Sequence, residues 1–246
     1  MLDFSPYLAI DLLYAGIAVF AAGMVRGFSG FGAAMVMAPV LAALYGPIAA
    51  VPIALILDLI LAAPLLPNAA RHVERGRIGV LTVAAIIGIP FGTWVLLHLQ
   101  AQTLRIAMSA AVFSAVLLLV TGWRHKGTPH LGGTIATGLA SGLLNGAVGM
   151  GGPPVIFYFL SGPDAAAKIR ASLIVYFTFL DIASLIVLAI AGQIGAPELL
   201  KSLLLAPPLL VGVWLGSQMF HRGGDRFYRP IAIAILAAVA AGSLLF

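Results

Sequence analysis

Gly27-Phe28-Ser29-Gly30-Phe31-Gly32 in the first half of the chain is answered by Gly146-Ala147-Val148-Gly149-Met150-Gly151 in the second, with the glycines in register at an offset of 119 residues. Each hexapeptide interrupts an apolar stretch that otherwise reads as membrane-spanning helix. Glycine inside a helix costs up to about 1 kcal/mol relative to alanine, so a cluster repeated at matching positions marks a deliberate break. Interrupted hydrophobic segments at corresponding positions of two halves point to a transporter's binding site.

The surrounding composition fits a membrane setting. The 246 residues are 62% hydrophobic and 9% charged, against about 25% charged in a typical soluble domain. The apolar runs are continuous rather than alternating, so the spans are helices, not barrel strands. The net charge of +5 reflects Lys and Arg collected in loops between spans, and no basic patch interleaved with aromatics suggests nucleic acid. Without cysteine, disulfides and thiolate ligands are excluded. The start Met1-Leu2-Asp3-Phe4 lacks a basic n-region, so a removable signal peptide is not expected.

Apolar segments run at about 8–28, 32–46, 47–66, 79–98 and 103–122, and again at 131–149, 152–162, 168–191, 198–220 and 228–246. A span needs about 20 residues, so 32–46 and 152–162 read as half-helices following the glycine breaks. The repeat continues beyond the motif. Gly76-Arg77-Ile78-Gly79 is echoed by Gly192-Gln193-Ile194-Gly195, Gly88 and Gly92 by Gly212 and Gly216, and Leu104-Arg105 by Tyr228-Arg229.

The basic loops (Arg71 to Arg77, Arg124 to Lys126, Lys168 to Arg170, Arg222 to Arg229) all fall on one side if there are ten segments. The positive-inside rule then places both termini outside. Five segments per half is an odd number, so the halves are inverted. The expected fold is an all-α integral membrane protein of two inverted five-segment repeats, residues 1–126 and 127–246. The first pair of segments in each half is broken or re-entrant at the glycine motif.

Several residues could carry chemistry. Gly149-Met150-Gly151-Gly152-Pro153-Pro154 starts a short helix within the bilayer, since proline is favoured at a first helical position. A helix start offers unpaired N–H groups and the positive end of a dipole, an anion site; Gly32-Ala33-Ala34 offers the equivalent start from the other half. Gly23, Gly138 and Gly142 suit close helix packing. Arg26 and Asn145 stand at equivalent positions before the first motif glycine. An arginine deep in a span is functional by default, whereas one in a tilted segment snorkels to the interface, and both readings of Arg26 stay open. Asn145 can bond a neighbouring helix or the substrate. The anion-binding set is thus Arg26, Gly27, Gly30, Gly32, Asn145, Gly146, Gly149, Gly151, Gly152 and Pro153.

Asp58 and Asp181 lie near mid-span, one helical turn apart on the 119-residue offset, and so on one face of equivalent helices. They are either structural carboxylates or a protonatable relay. The five histidines lie in loops or at helix ends, without metal-ligand spacing. Gly27-Phe28-Ser29-Gly30 looks like an intramembrane serine nucleophile, but no histidine stands at membrane depth, and Val148 replaces Ser29 in the second copy. No enzymatic activity, metal or cofactor is expected.

The stretch Gly142-Leu143-Leu144-Asn145-Gly146-Ala147-Val148-Gly149-Met150-Gly151-Gly152-Pro153 resembles the second glycine-rich signature of the sulfite exporter TauE/SafE family. Gly88 to Gly92 and Gly212 to Gly216 are similar to that family's later glycine pairs, although Phe31-Gly32-Ala33-Ala34 departs from its usual glycine run. The resemblance implies a secondary transporter that exports sulfite, sulfoacetate or a related organosulfonate. It further implies a bacterial inner-membrane location, the lipid bilayer and a small anion as partners, and room for protons and a homodimer. An inside-negative potential contributes about 2.3 kcal/mol per charge per 100 mV to anion exit, and inward proton flow through the two carboxylates could add to it. An anion channel, or a carrier for another small organic anion, is the alternative.

Overall fold

The computed structural model describes the chain except residues 1–5, 72, 74, 121–129, 161, 163 and 244–246; for residues 6–9, 75, 112, 115, 116, 118–120, 166 and 220–243 it describes the backbone alone. The described chain is helical: α1 (Pro6–Ser29), α2 (Ala33–Tyr45), α3 (Pro47–Ala62), the single turn α4 (Leu66–Ala69), α5 (Arg75–His98), α6 (Ala101–Val120), α7 (Leu131–Val148), α8 (Gly152–Leu160), α9 (Ala166–Ile190) and α10 (Ala196–Ser243). Among the described residues, five stretches are long and apolar enough to cross a bilayer: Ile10–Ser29, Gly76–His98, Leu131–Val148, Ala167–Ile190 and Ala196–Met219. Large apolar side chains such as Ile17, Phe91, Trp94 and Ile190 project outward, as lipid-facing surfaces do.

Both glycine motifs end a helix where expected, and α2 and α8 are the short segments after them. Two expectations are corrected. The break at Arg222 to Arg229 is absent from the backbone, since α10 runs through it for 48 residues. A Gly-Gly step costs only about 2 kcal/mol of helix propensity, too little to end a helix by itself. At 1.5 Å per residue α10 extends ~72 Å, so a single straight crossing of a hydrocarbon core about 30 Å thick accounts for only part of it. Secondly, Gly76 and Gly79 lie in the first turns of α5, whereas Gly192 and Gly195 precede α10, with Gly192 at φ 71°. That echo does not join equivalent places. The domain boundary at 126/127 and the cluster Arg124 to Lys126 lie outside the described residues.

The regular spacing of small residues in the sequence becomes two helix crossings of the same construction. On α1, a Cβ at Gly23 or Gly27 would collide with the backbone carbonyl of Leu209 or Val213 on α10. Reciprocally, one at Gly212 or Gly216 would collide with that of Phe20 or Met24. Gly138, Gly142 and Gly146 on α7 meet the carbonyls of Leu81, Ala85 and Ile89 on α5, while Gly88 and Gly92 meet those of Leu139 and Leu143. Residue numbers rise together in each pair, so α1 runs parallel to α10 and α5 parallel to α7. Backbone-to-backbone approach of this kind is what small residues allow between membrane helices.

Candidate functional site

The two motif turns converge with α3 and α9 on the interior. At the first, α1 ends at Ser29 and the chain turns through Gly30 (φ 81°) and Gly32 (φ 88°), a region in which a β-carbon is strained. Ser29 pins the turn. Its Oγ lies 2.7 Å from the carbonyl oxygens of both Val25 and Phe31 and accepts the Phe31 N–H at 3.3 Å. That role accounts for the hydroxyl without a nucleophile. From α9, Arg170 donates through Nη2 to the Gly27 carbonyl at 2.7 Å, a cation satisfying the last carbonyls of a helix. Its stem fills the space beside Gly30, where a Cβ would lie 2.6 Å from Arg170 Cγ.

At the second turn α7 closes on Gly149 (φ 70°), whose N–H donates to the Asn145 carbonyl at 2.9 Å. The side chain of Asn145 ties the turn to α9. Its Oδ1 accepts the Gly151 N–H at 3.0 Å and its Nδ2 donates to Ser184 Oγ at 2.9 Å. Ser141 Oγ donates to the Gly151 carbonyl and accepts from the Tyr176 hydroxyl at 2.8 Å. Gly152 then opens α8 against α2 and α9; a Cβ there would lie 2.5 Å from Met35 Cε and 3.8 Å from Phe177 Cζ. Residues Gly27 to Ala33 and Asn145 to Pro153 are all buried.

The helix starts differ as donors. Gly32 precedes α2 without a side-chain cap, and the first-turn N–H groups of Ala33, Ala34 and Met35 are those a helix start leaves unpaired. In α8, Pro153 and Pro154 carry no N–H, so its first turn offers only Gly152 and Val155. The Gly151 N–H is already committed to Asn145. The prolines that signal this helix start in the sequence therefore also thin the donors available there.

Between the two turns lies a charged cluster. Arg26 Nη1 donates to Asp58 Oδ2 at 2.9 Å, with the two side chains 1% and 4% exposed. This excludes snorkelling of Arg26 to an interface. The guanidinium lies over the Phe177 ring, 5.2 Å from its centroid, a cation–π arrangement. Its Nε and Nη2, the two nitrogens of one edge, meet no hydrogen-bond partner among the described residues. Asp181 is likewise buried, within hydrogen-bonding reach of both Asp58 and Asn145 and in the field of Arg26. Asp58 Oδ1 and Asp181 Oδ2 meet no hydrogen-bond donor among the described residues.

Arg26, Asp58, Asn145 and Asp181, singled out separately in the sequence, thus form one buried group, with Asn145 tying it to Gly151. Gly27 and Gly146 are helix-crossing contacts, and Gly30, Gly32 and Gly149 supply the turns. Sequence reading passed over Ser141, Tyr176, Phe177 and Ser184, which polar or aromatic residues in an apolar helix only weakly flag. It also read Arg170 only as a loop charge, although it lies one turn inside α9. Among the described residues no three His, Cys, Asp or Glu side chains gather as a metal site.

Residues 15–243 match the family model described as "Sulfite exporter TauE/SafE". A curated protein of Cupriavidus necator, the "Probable sulfite/organosulfonate exporter TauE", is similar, with 25% identity over 226 residues covering 88% of this chain and 87% of that protein. No solved structure matches the chain.

Proposed function

The chain belongs to the sulfite exporter TauE/SafE family, a family of membrane transporters, and from that membership we propose that it exports a small sulfur-containing anion as a secondary carrier. Sulfite, sulfoacetate and related organosulfonates are the substrate class. The observation that carries this reading is the buried Arg26. One edge is paired with Asp58, its face is covered by Phe177, and the Nε/Nη2 edge is unpaired among the described residues. A planar guanidinium edge binds two oxygens of one oxyanion side by side, and a sulfonate or sulfite presents such a pair. The first turn of α2 adds backbone N–H groups and the positive end of its dipole.

The inverted-repeat arrangement is part of the proposal, and the helix contacts support it. Parallel packing of α1 on α10 and of α5 on α7 is the set of directions that the charge count requires. Two further contacts match across the repeat. Arg77 at the start of α5 pairs with Asp164 just after α8 at 3.0 Å, while Lys201 near the start of α10 lies over the Tyr45 ring at the end of α2, 4.2 Å from its centroid. Tyr45 and Asp164 are 119 residues apart, and Arg77 and Lys201 are 124 apart, the offsets of the glycine motifs and of the later glycine pairs. We place the chain in a bacterial inner membrane with both termini outside. Asp58 and Asp181 couple its transport to protons.

Binding tests the reading directly. Purified protein should be stabilised against heat by sulfite and by organosulfonates more than by chloride, and Arg26→Gln should remove that stabilisation. Equal stabilisation of the Arg26→Gln variant would remove the site from Arg26.

A further inference from the structure

We infer that the substrate anion and a proton are taken up together, with the Asp58–Asp181 pair receiving the proton that balances each anion docking on Arg26. The inference rests on the proposed anion site and adds the sign and stoichiometry of its coupling. Its basis is the charge of the buried cluster. Arg26 comes from α1, Asp58 from α3 and Asp181 from α9, and α7 contributes the neutral Asn145. Among the described residues, a further titratable group in the field of Asp181 is Tyr176 on α9, whose hydroxyl is engaged with Ser141.

Two carboxyls in hydrogen-bonding reach of each other need a proton between them, because two bare carboxylates only repel. One guanidinium, one carboxylate and one carboxylic acid sum to zero. A monoanion placed on the Nε/Nη2 edge brings the group to −1 in a site whose members are each no more than 4% exposed. Uncompensated buried charge is costly enough that proteins neutralise it by changing protonation. The acceptors for that second proton are already present as Asp58 Oδ1 and Asp181 Oδ2, neither of which meets a donor among the described residues.

The direction of coupling is then fixed. For a monoanion the loaded cluster, with two protons, is neutral, as is the empty one with a single proton. The proton therefore travels with the anion rather than against it. This reverses the expectation of inward proton flow, and it makes the anion and proton concentration gradients together, not the membrane potential, the driving force.

The test uses the purified full-length protein and isethionate, an organosulfonate monoanion whose charge is constant across neutral pH. Calorimetric titration in two buffers of different ionisation enthalpy counts protons on binding. The expected result is uptake of about one proton per isethionate bound and an affinity falling about tenfold for each pH unit of increase. Asp58→Asn/Asp181→Asn, if it folds, should bind isethionate without proton uptake and without pH dependence. Binding to the unsubstituted protein with no uptake, or with proton release, overturns the inference and leaves the anion site standing. Absence of any binding overturns the site and the inference together.

Discussion

Arg26 and Asp58 are 32 residues apart in the chain and 2.9 Å apart in space, an ion pair joining α1 to α3 away from solvent. Removing one partner of such a pair leaves an uncompensated buried charge, which costs about 3–5 kcal/mol. Replacing both with apolar residues of similar volume is often neutral. Arg26→Met and Asp58→Leu should each lower the melting temperature of the detergent-solubilised protein sharply, and the double variant should recover most of that loss while transporting nothing. Singles that melt like the parent would contradict the pairing.

The glycine crossings give a stability prediction with a built-in control. Gly92→Ala and Gly216→Ala place a methyl group against the carbonyls of Leu143 and Met24. Each should destabilise by about 1–3 kcal/mol as an overpacked contact. Gly79→Ala, in the interior of α5 with nothing within 4 Å of its Cβ position, should be neutral or stabilising by up to about 1 kcal/mol. Thermal unfolding of the three variants under one condition decides it.

Asn145 holds the second turn through its contacts with Gly151 and Ser184. Asn145→Ala orphans a buried backbone N–H, at a cost of about 1–3 kcal/mol. Hydrogen exchange should then quicken at residues 149–152 and leave residues 29–33 at the parental rate. An even change at both turns would assign Asn145 a general packing role.

The Arg77–Asp164 and Lys201–Tyr45 contacts secure the ends of α8 and α2. The Arg170–Gly27 bond puts the start of α9 beside the end of α1, which packs near Ser217 of α10. Lys201 lies ~24 Å of helix from Ser217, so the two contacts belong to opposite ends of the molecule. Arg77→Gln should speed hydrogen exchange at residues 156–160 and 164–168 only, and Tyr45→Leu at residues 39–47 only. Spread of either effect to the other end would show that the ends do not open separately.

Much of this arrangement was legible in the sequence because glycine and buried polar or charged side chains are expensive in apolar helices. The breaks at Gly30, Gly32 and Gly149, the short α2 and α8, and the residues Arg26, Asp58, Asn145 and Asp181 all announce themselves by that cost. What the chain did not announce was partnership. Nothing local says that Arg26 meets Asp58, or that Asp181 reaches Asp58 and Asn145, because these contacts come from packing helices distant in sequence. The continuity of α10 was missed for the converse reason. Gly223-Gly224 amid charged residues reads as a loop, yet the propensity cost of two glycines is small against the hydrogen bonds of a 48-residue helix.

The most direct test of the central claim, an anion carrier built around Arg26, is flux of labelled sulfite and sulfoacetate in proteoliposomes of the purified protein. A carrier of this kind should show saturable counterflow of both anions, no comparable movement of labelled chloride, and loss of flux in Arg26→Gln at unchanged reconstitution. Flux of the sulfur anions that persists at the parental rate in Arg26→Gln would contradict it.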